Sequence, residues 1–274
     1  MRILLVFMFA AILFIADTTA QSFTIGQAVN IAGRQRMLTQ RMAKARVYRT
    51  MSINTDVTQK ELTASITTFE ESLKNLLAYS PNQKVKLRFQ KVESIWPEYK
   101  AALLNDTSVN SVLSIMSNNT RILTSCDEAV QELVAYSQTI TDDNSESGIS
   151  AEAIANNVNL SGRMRMLSQR LTLYYGAYFT DIDKDGIKVI KTVTSNIQQG
   201  LNTLTTSDIN STDIDDALSA ALRDWEVVRD KCTKNGCQGF ENKTMEPASV
   251  FDTMNKFLTR MDRVTALYSS LSKK

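Results

Sequence analysis

Histidine is absent from this 274-residue sequence, so the commonest general base and a frequent metal ligand are missing. The sequence also lacks a nucleophile motif, a glycine-rich phosphate loop and the Glu-x-x-His pair of di-metal helical bundles. We therefore predict no catalytic residue, no metal site and no cofactor, and we expect a protein that is not an enzyme. Because 31 basic and 29 acidic residues are interspersed, with a net charge of +2, nucleic acid is not an expected partner either.

Proline and glycine are scarce, with three and nine residues, so long stretches run without a helix breaker. Hydrophobic residues make up 43% of the chain and recur at steps of three and four, which predicts amphipathic helices. Pro97 is expected to kink or break the third of them. The predicted helices span residues 25–51, 58–79, 82–104, 108–139, 150–179, 186–204, 213–232 and 247–271. Short connections between helices with one apolar stripe each predict an all-α fold of two tandem up-down four-helix bundles.

The N-terminus carries a run of fourteen apolar residues, 3–16, which follows Arg2 and precedes the small residues 18–20. A membrane span needs about 20 apolar residues, so this run is short for one. The pattern predicts a signal peptide over residues 1–20, a mature chain that begins near Gln21, and a periplasmic or secreted location. An uncleaved membrane anchor is the alternative.

Only three cysteines are present, and an exported location favours their pairing. Cys232 and Cys237 flank a turn-prone tetrapeptide, and we predict a disulfide between them. Their spacing fits neither the C-x-x-C redox motif nor a zinc pattern. The third cysteine, Cys126, matches Met261 in the second half of the chain and is therefore expected to be buried.

A repeat organises the chain, because residues 29–42 and 158–171 match at an offset of 129. Solenoid repeats are about 20 to 50 residues long, so this much larger offset indicates two whole domains. We place these domains at residues 21–140 and 150–274, joined by a polar linker over residues 141–149.

The match between the halves extends beyond this box. Trp96 and Trp225 stand at the same offset, deep in the third helix of each half. Closer to the C-terminus, residues 122–127 match residues 257–262, so the register has shifted by six. We assign the shift to an insertion over residues 232–240, which we expect to be a loop.

The repeated box has the pattern Asn-x-x-Gly-Arg-x-Arg-Met-Leu-x-Gln-Arg. Helical geometry puts Arg36, Gln40 and Lys44 on one side, so these polar groups must meet water, an acidic partner or an anion. A glycine inside a helix costs about 1 kcal/mol relative to alanine, and it is tolerated where a second helix approaches closely. The candidate ligand-binding residues are therefore Asn30, Gly33, Arg34, Arg36, Asn159, Gly162, Arg163 and Arg165.

Within this set we expect Arg36 and Arg165 to be the main ligand contacts. If the first helices of the two halves, or of two subunits, pair at Gly33 and Gly162, these two guanidinium groups converge and repel each other. An oxyanion between them would relieve the repulsion, and it suits their planar donor geometry. The neighbouring arginines of the box are expected to be mainly structural: Arg34, Arg41, Arg163 and Arg170.

The box resembles the signature of the PilJ-type sensory module, the N-terminal domain of type IV pili methyl-accepting chemotaxis proteins. It is also similar to the box Gly-x-x-Arg-Met in the periplasmic four-helix domain of nitrate/nitrite sensor kinases, where the arginine binds nitrate at a dimer interface. Arg36 and Arg165 match that arginine. The resemblance implies an exported sensor-type protein that binds a small anion such as nitrate or nitrite, or another small solute. The implied protein partner is a membrane-bound sensor or a second copy of the chain.

Two other interpretations of the arginines stay open, namely a solvated helix face and a structural seam without a small ligand. Ion pairs between Arg36 or Arg165 and protein carboxylates would favour the seam, whereas an unpaired basic pocket would favour the ligand site. A separate acidic segment resembles the start of a calcium-binding loop, with Asp181, Asp183 and Asp185 before a glycine. Because Thr192 stands where that loop needs glutamate, we expect a capped turn instead.

Overall fold

A computed structural model describes residues 23–105, 108–140, 148–231 and 237–272. These residues form helices and no strands, which confirms the all-α prediction. The described helices are α1 Ile25–Thr50, α2 Thr55–Tyr79, α3 Gln83–Leu104, α4 Val109–Ser137, α5 Ala151–Phe179, α6 Gly186–Thr205, α7 Thr212–Arg229, α8 Gln238–Glu241 and α9 Pro247–Ser270. The predicted signal peptide, residues 141–147 of the predicted linker and Cys232 lie outside the described residues.

Local sequence sets the ends of these helices. Thr24 and Gln27 form a capping box at the start of α1, and Ser150 accepts a hydrogen bond from the third backbone N–H of α5. In α3 the expected break is absent, because the helix runs continuously through Pro97. Trp96, directly before the proline, is buried and packs against Phe69 of α2, and this contact holds the segment in the helical path.

Within each half, helices that follow one another in the chain lie side by side. The first helix of the half also packs against its last long helix, α4 or α9, and the third helix packs against that last helix too. This order of contacts is the one expected for an up-down arrangement. The bounds of the two predicted domains stay predictions.

The two halves meet through their first helices, since α1 packs along α5. In addition, α1 contacts α9 and α5 contacts α4. We call the contact between α1 and α5 the seam. The helices pair within one chain, which answers the question that the repeat alone left open.

Burial in the seam explains the composition of α1. The helix is surrounded by α2, α4, α5 and α9, and the side chains of Arg36, Gln40 and Lys44 are fully buried. A helix with a single apolar stripe would expose these groups. Here they meet polar partners from neighbouring helices.

The insertion near residues 232–240 is only partly a loop. Its described end holds α8, a single turn that the sequence did not predict. Phe240 of this turn is fully buried and packs edge-on against the ring of Tyr175, with ring centroids 4.9 Å apart. The inserted segment is therefore attached to α5 by an aromatic contact.

Candidate functional site

The two helices of the seam cross at the repeated glycines. A Cβ atom added to Gly33 would lie 4.0 Å from the Cα atom of Gly162, and one added to Gly162 would lie 3.9 Å from the Cα atom of Gly33. The same Cβ atoms would lie 3.4 Å from Nη2 of Arg36 and 3.2 Å from Nη2 of Arg165, respectively. A Cβ atom at Gly33 would therefore make ordinary van der Waals contacts, whereas one at Gly162 would be crowded by the guanidinium of Arg165.

Arg36 links the two halves. Its Nη1 lies 2.6 Å from Oδ1 of Asp127, which belongs to α4 of the same half. Its Nη2 donates to Oδ1 and the carbonyl oxygen of Asn159 on α5, at 2.8 and 3.2 Å. One fully buried guanidinium thus forms an ion pair within its own half and hydrogen bonds to the other half.

Arg165 repeats this arrangement in the opposite direction. Its Nη1 lies 3.0 Å from Oδ1 of Asp262 on α9, and its Nη2 donates to Oδ1 and the carbonyl oxygen of Asn30, at 2.9 and 3.3 Å. The three contacts have the same atom pairs as those of Arg36. The seam therefore has local two-fold pseudosymmetry around the crossing.

The crossing of α1 and α5 carries more positive than negative charge. Burial lowers the pKa of Arg36 and of Arg165, whereas Asp127 and Asp262 raise it. The charge of Arg163 further lowers the pKa of Arg36. The Arg165 guanidinium is affected in the same way by Arg34 and Arg36. Among the described residues, neither Arg34 nor Arg163 has a carboxylate oxygen within 4.0 Å, so two carboxylates face four arginines.

The structure brings the eight predicted site residues together at one place. Asn30, Gly33 and Arg36 meet Asn159, Gly162 and Arg165 directly, while Arg34 and Arg163 are exposed at the edge. Sequence reasoning missed both carboxylates. The signal was present in the register match that aligns Asp127 with Asp262, but the match alone does not show that these residues face the arginines.

Both central arginines form ion pairs with protein carboxylates, which is the outcome that favours the seam over an unpaired basic pocket. The carboxylates are nevertheless accessible, because the side chains of Asp127 and Asp262 are 47% and 37% exposed. Each guanidinium also keeps a buried Nε without a hydrogen-bond partner among the described residues. The pairing is therefore monodentate and incomplete.

The other two arginines of the box contact different groups. Nη2 of Arg41 lies 3.3 Å from Oε1 of Glu61 on α2. Arg170 donates to Oε1 of Gln40 at 3.2 Å, and its guanidinium carbon lies 4.7 Å from the centre of the Tyr174 ring. These contacts connect Arg41 and Arg170 to the helices that form or surround the seam.

The remaining sequence candidates lie away from the crossing. No cluster of three potential metal ligands occurs in the part of the chain that the structure describes, and Asp181 forms an ion pair of 2.8 Å with Lys243. Cys126 is a buried free thiol whose pKa is raised by burial. The disulfide between Cys232 and Cys237 stays a prediction. None of the described helices is long and apolar enough to cross a membrane.

Comparison with known proteins agrees with the repeated box. The profile of the PilJ family, described as the N-terminal domain of type IV pili methyl-accepting chemotaxis transducers, matches residues 18–121 and 149–237. These two segments are consistent with tandem copies and cover more than half of the chain. No curated protein and no solved structure matches the chain. The chain therefore belongs to the PilJ family of sensory domains.

Proposed function

We propose that this chain is an exported sensor-type module in which the seam joins two PilJ-type units into one. The observation that carries the proposal is the reciprocal pair of arginines, each ion-paired in its own half and hydrogen-bonded to an asparagine of the other half. Arg36 and Arg165 are then cross-links that couple the halves. Residues 1–20, which predict a signal peptide, support a periplasmic or secreted location. A membrane-bound sensor is the partner that the family description favours.

The coupling can be tested with the two tryptophans, because each lies in a different half. Trp96 belongs to α3 and Trp225 to α7, and both are buried. Trp225→Phe leaves a fluorophore in the first half, and Trp96→Phe leaves one in the second half. If the seam couples the halves, the two reporters give coincident urea transitions in the otherwise unaltered chain.

The decisive variant removes the cross-half hydrogen bonds that the two asparagine side chains accept, and it removes no charge. Asn30→Ala combined with Asn159→Ala should separate the two tryptophan transitions, whereas Arg121→Ala, which disrupts an exposed ion pair with Glu98, should not. Transitions that stay coincident in the asparagine variant would contradict a coupling through these side-chain hydrogen bonds.

A small-oxyanion site at the crossing is the second candidate function. The observation that favours it is the surplus of positive charge, with Arg34, Arg36, Arg163 and Arg165 around two half-exposed carboxylates. A nitrate- or nitrite-like anion could accept from the unpartnered Nε atoms if Asp127 and Asp262 swung into solvent. The site would then contain Gly33, Gly162, Asn30 and Asn159 as well.

Calorimetric titration of the purified chain with nitrate, nitrite and sulfate tests this candidate. Binding that disappears in Arg36→Ala/Arg165→Ala and persists in Arg121→Ala supports the anion site. Folding of the double variant is checked by circular dichroism, and Asp127→Asn/Asp262→Asn provides a second comparison, since loss of the competing carboxylates should strengthen binding. If none of the three anions gives a binding heat with the unaltered chain or with the aspartate variant, the anion site is rejected and the seam is purely structural.

A further inference from the structure

A second polar cluster lies along α1 beyond the crossing. The ammonium group of Lys44 lies 2.9 Å from Oε2 of Glu61 on α2 and donates to Oδ1 of Asn255 on α9 at 2.9 Å. The amide of Asn255 donates in turn to Oε1 of Glu61 at 3.0 Å. The ammonium also lies 4.0 Å from the centre of the Phe251 ring. We call Lys44, Glu61 and Asn255 the Lys44 cluster.

The Lys44 cluster crosses between the halves. Lys44 and Glu61 belong to the first half, whereas Asn255 and Phe251 belong to the second. Lys44 is fully buried and Glu61 is nearly so. The cluster therefore places an ion pair inside the contact between α1 and α9.

The counterparts of the Lys44 cluster in the other half of the chain can be located from contacts and sequence matches that the two halves share. Trp96 donates to Glu70 and Trp225 donates to Gln198, which sets an offset of 128 between α2 and α6. The match of Asp127 with Asp262 sets an offset of 135 residues between α4 and α9. With the offset of 129 for the first helices, the counterparts of Lys44, Glu61 and Asn255 are Leu173, Val189 and Thr120.

The second half thus forms its corresponding contact without a buried ion pair. Leu173 is fully buried and apolar. Replacing a buried ion pair by apolar residues is often neutral or stabilising, because desolvation of the charges is costly. That cost is visible at Lys44, whose pKa is lowered by burial to about 8. Stability alone therefore does not explain the cluster, and a role in specificity does.

We propose that the Lys44 cluster is a specificity device that directs the first half of the chain onto the second half of the same chain, and away from a like half of another copy. The proposal goes beyond the proposed function, because it concerns how the halves select each other and is independent of any ligand. The reason for it lies in what each alternative pairing would bury.

Pairing of two first halves would replace the contact of α1 with α9 by a contact with α4 of the second copy. Lys44 would then meet Thr120 instead of Asn255, and Met116 instead of Phe251. The ammonium would lose both an amide acceptor and an aromatic face. The buried ammonium would keep Glu61 but would exchange an amide oxygen and an aromatic face for a threonine hydroxyl and a methionine, which is less favourable for the charge.

Pairing of two second halves would fail for the opposite reason. The amide of Asn255 would then meet Leu173 and Val189, which offer no side-chain donor or acceptor, and would keep only the hydrogen bond of 3.3 Å that its Oδ1 accepts from Gln169 of its own half. This half-buried amide would lose Lys44 as a donor to its oxygen and Glu61 as an acceptor for its NH2 group, which is unfavourable. Only the pairing of unlike halves satisfies the cluster, so the device discriminates by penalising both like pairings.

The test makes the two halves alike at this place. The triple variant Lys44→Leu/Glu61→Val/Asn255→Thr carries the residues of the counterpart positions in the full chain. The triple variant and the unaltered chain are unfolded in urea and refolded at high protein concentration. Oligomeric state is then measured by light scattering after size exclusion, and thermal unfolding is followed by circular dichroism.

We expect the unaltered chain to refold as monomer and the triple variant to give at least fivefold more domain-exchanged dimer. Its unfolding midpoint should equal or exceed that of the unaltered chain. Lys44→Leu alone should lower the midpoint, because the nearly buried Glu61 would keep only Arg41 at 3.3 Å and the amide of Asn255 as partners. Lys91→Leu/Glu128→Val is the matched control, since it removes an exposed ion pair of 2.8 Å by the same substitutions.

Three results would overturn the proposal. The first is a triple variant that refolds to the same share of monomer as the unaltered chain. The second is a triple variant with a clearly lowered midpoint or no folded state, because the cluster would then serve stability. The third is an equal share of dimer in the Lys91→Leu/Glu128→Val control, because general stickiness would then explain the dimer.

Discussion

Lys44 predicts an unusual dependence of stability on pH. Its pKa is about 8 in the folded chain, against 10.5 for an unperturbed lysine, and the main cause is desolvation by burial. Between these two values the unfolded chain binds more protons at this site than the folded chain. The free energy of unfolding therefore rises with pH across this window, since its slope follows the excess of protons bound by the unfolded state.

The size of the effect follows from the same two pKa values. From pH 7 to pH 9.5 the contribution of Lys44 to the free energy of unfolding increases by about 2 kcal/mol. The window must end below pH 10, because buried tyrosines such as Tyr48 and Tyr99 have raised pKa values. A phenol that keeps its proton only in the folded chain costs stability as the pH rises past the unfolded value of about 10, which has the opposite sign.

The assay is urea unfolding monitored by tryptophan fluorescence at intervals of half a pH unit from 7 to 9.5. The control is Lys44→Leu/Glu61→Val/Asn255→Thr, which lacks the titrating amine and should show no rise over this range. Burial raises the pKa of Cys126, which lowers the stability of both chains toward pH 9.5, so the difference between the two profiles reports Lys44. A stability of the unaltered chain that is flat or falls as the pH rises, relative to this control, would refute the claim that burial depresses the pKa of Lys44.

Three further predictions concern the seam and the buried cysteine. Asp127→Asn should lower the free energy of unfolding, measured in urea, by about 2 kcal/mol, because it removes the charge partner of the buried Arg36 guanidinium. The control Glu98→Gln, at the exposed ion pair with Arg121, should change this free energy by less than about 0.5 kcal/mol. Gly162→Leu should destabilise the chain by about 2 kcal/mol or more, since a Cβ atom there already meets Arg165 at 3.2 Å; a stability equal to that of the unaltered chain would contradict the close crossing. Cys126, buried and with a raised pKa, should resist iodoacetamide at pH 8 in the folded chain and react after unfolding in urea, as measured by mass spectrometry of its peptide.

Helix positions could be predicted closely because their signals are local. Thr24, Ser150 and Pro247 each mark a helix start through capping or a preset backbone angle, and the predicted and observed starts agree within one residue. The break expected at Pro97 does not occur, since α3 continues through the proline with Trp96 packed against Phe69, and the kink stays a prediction. The turn α8 was missed because four residues are too few to show a helical period.

The candidate site could be predicted only in part. Glycine and arginine at the same places in both halves indicated where helices cross and which charges converge. The partners of those charges, Asp127 on α4 and Asp262 on α9, lie 91 and 97 residues away in the chain from the arginines that they contact. Helical periodicity assigns a residue to a side of its own helix but carries no information about the helix that covers this side.

The sequence by itself determined that the chain is a duplicated all-α protein with a PilJ-type box, because repeats, caps and periodicity are properties of neighbouring residues. The tertiary structure alone decided that α1 and α5 pair within one chain and that Arg36 and Arg165 are buried against Asp127 and Asp262. It also decided that Lys44 forms its ion pair where the related position carries Leu173. The physical reason is that the environment of a charge is set by every helix that surrounds it, and residues distant in the chain meet only after packing.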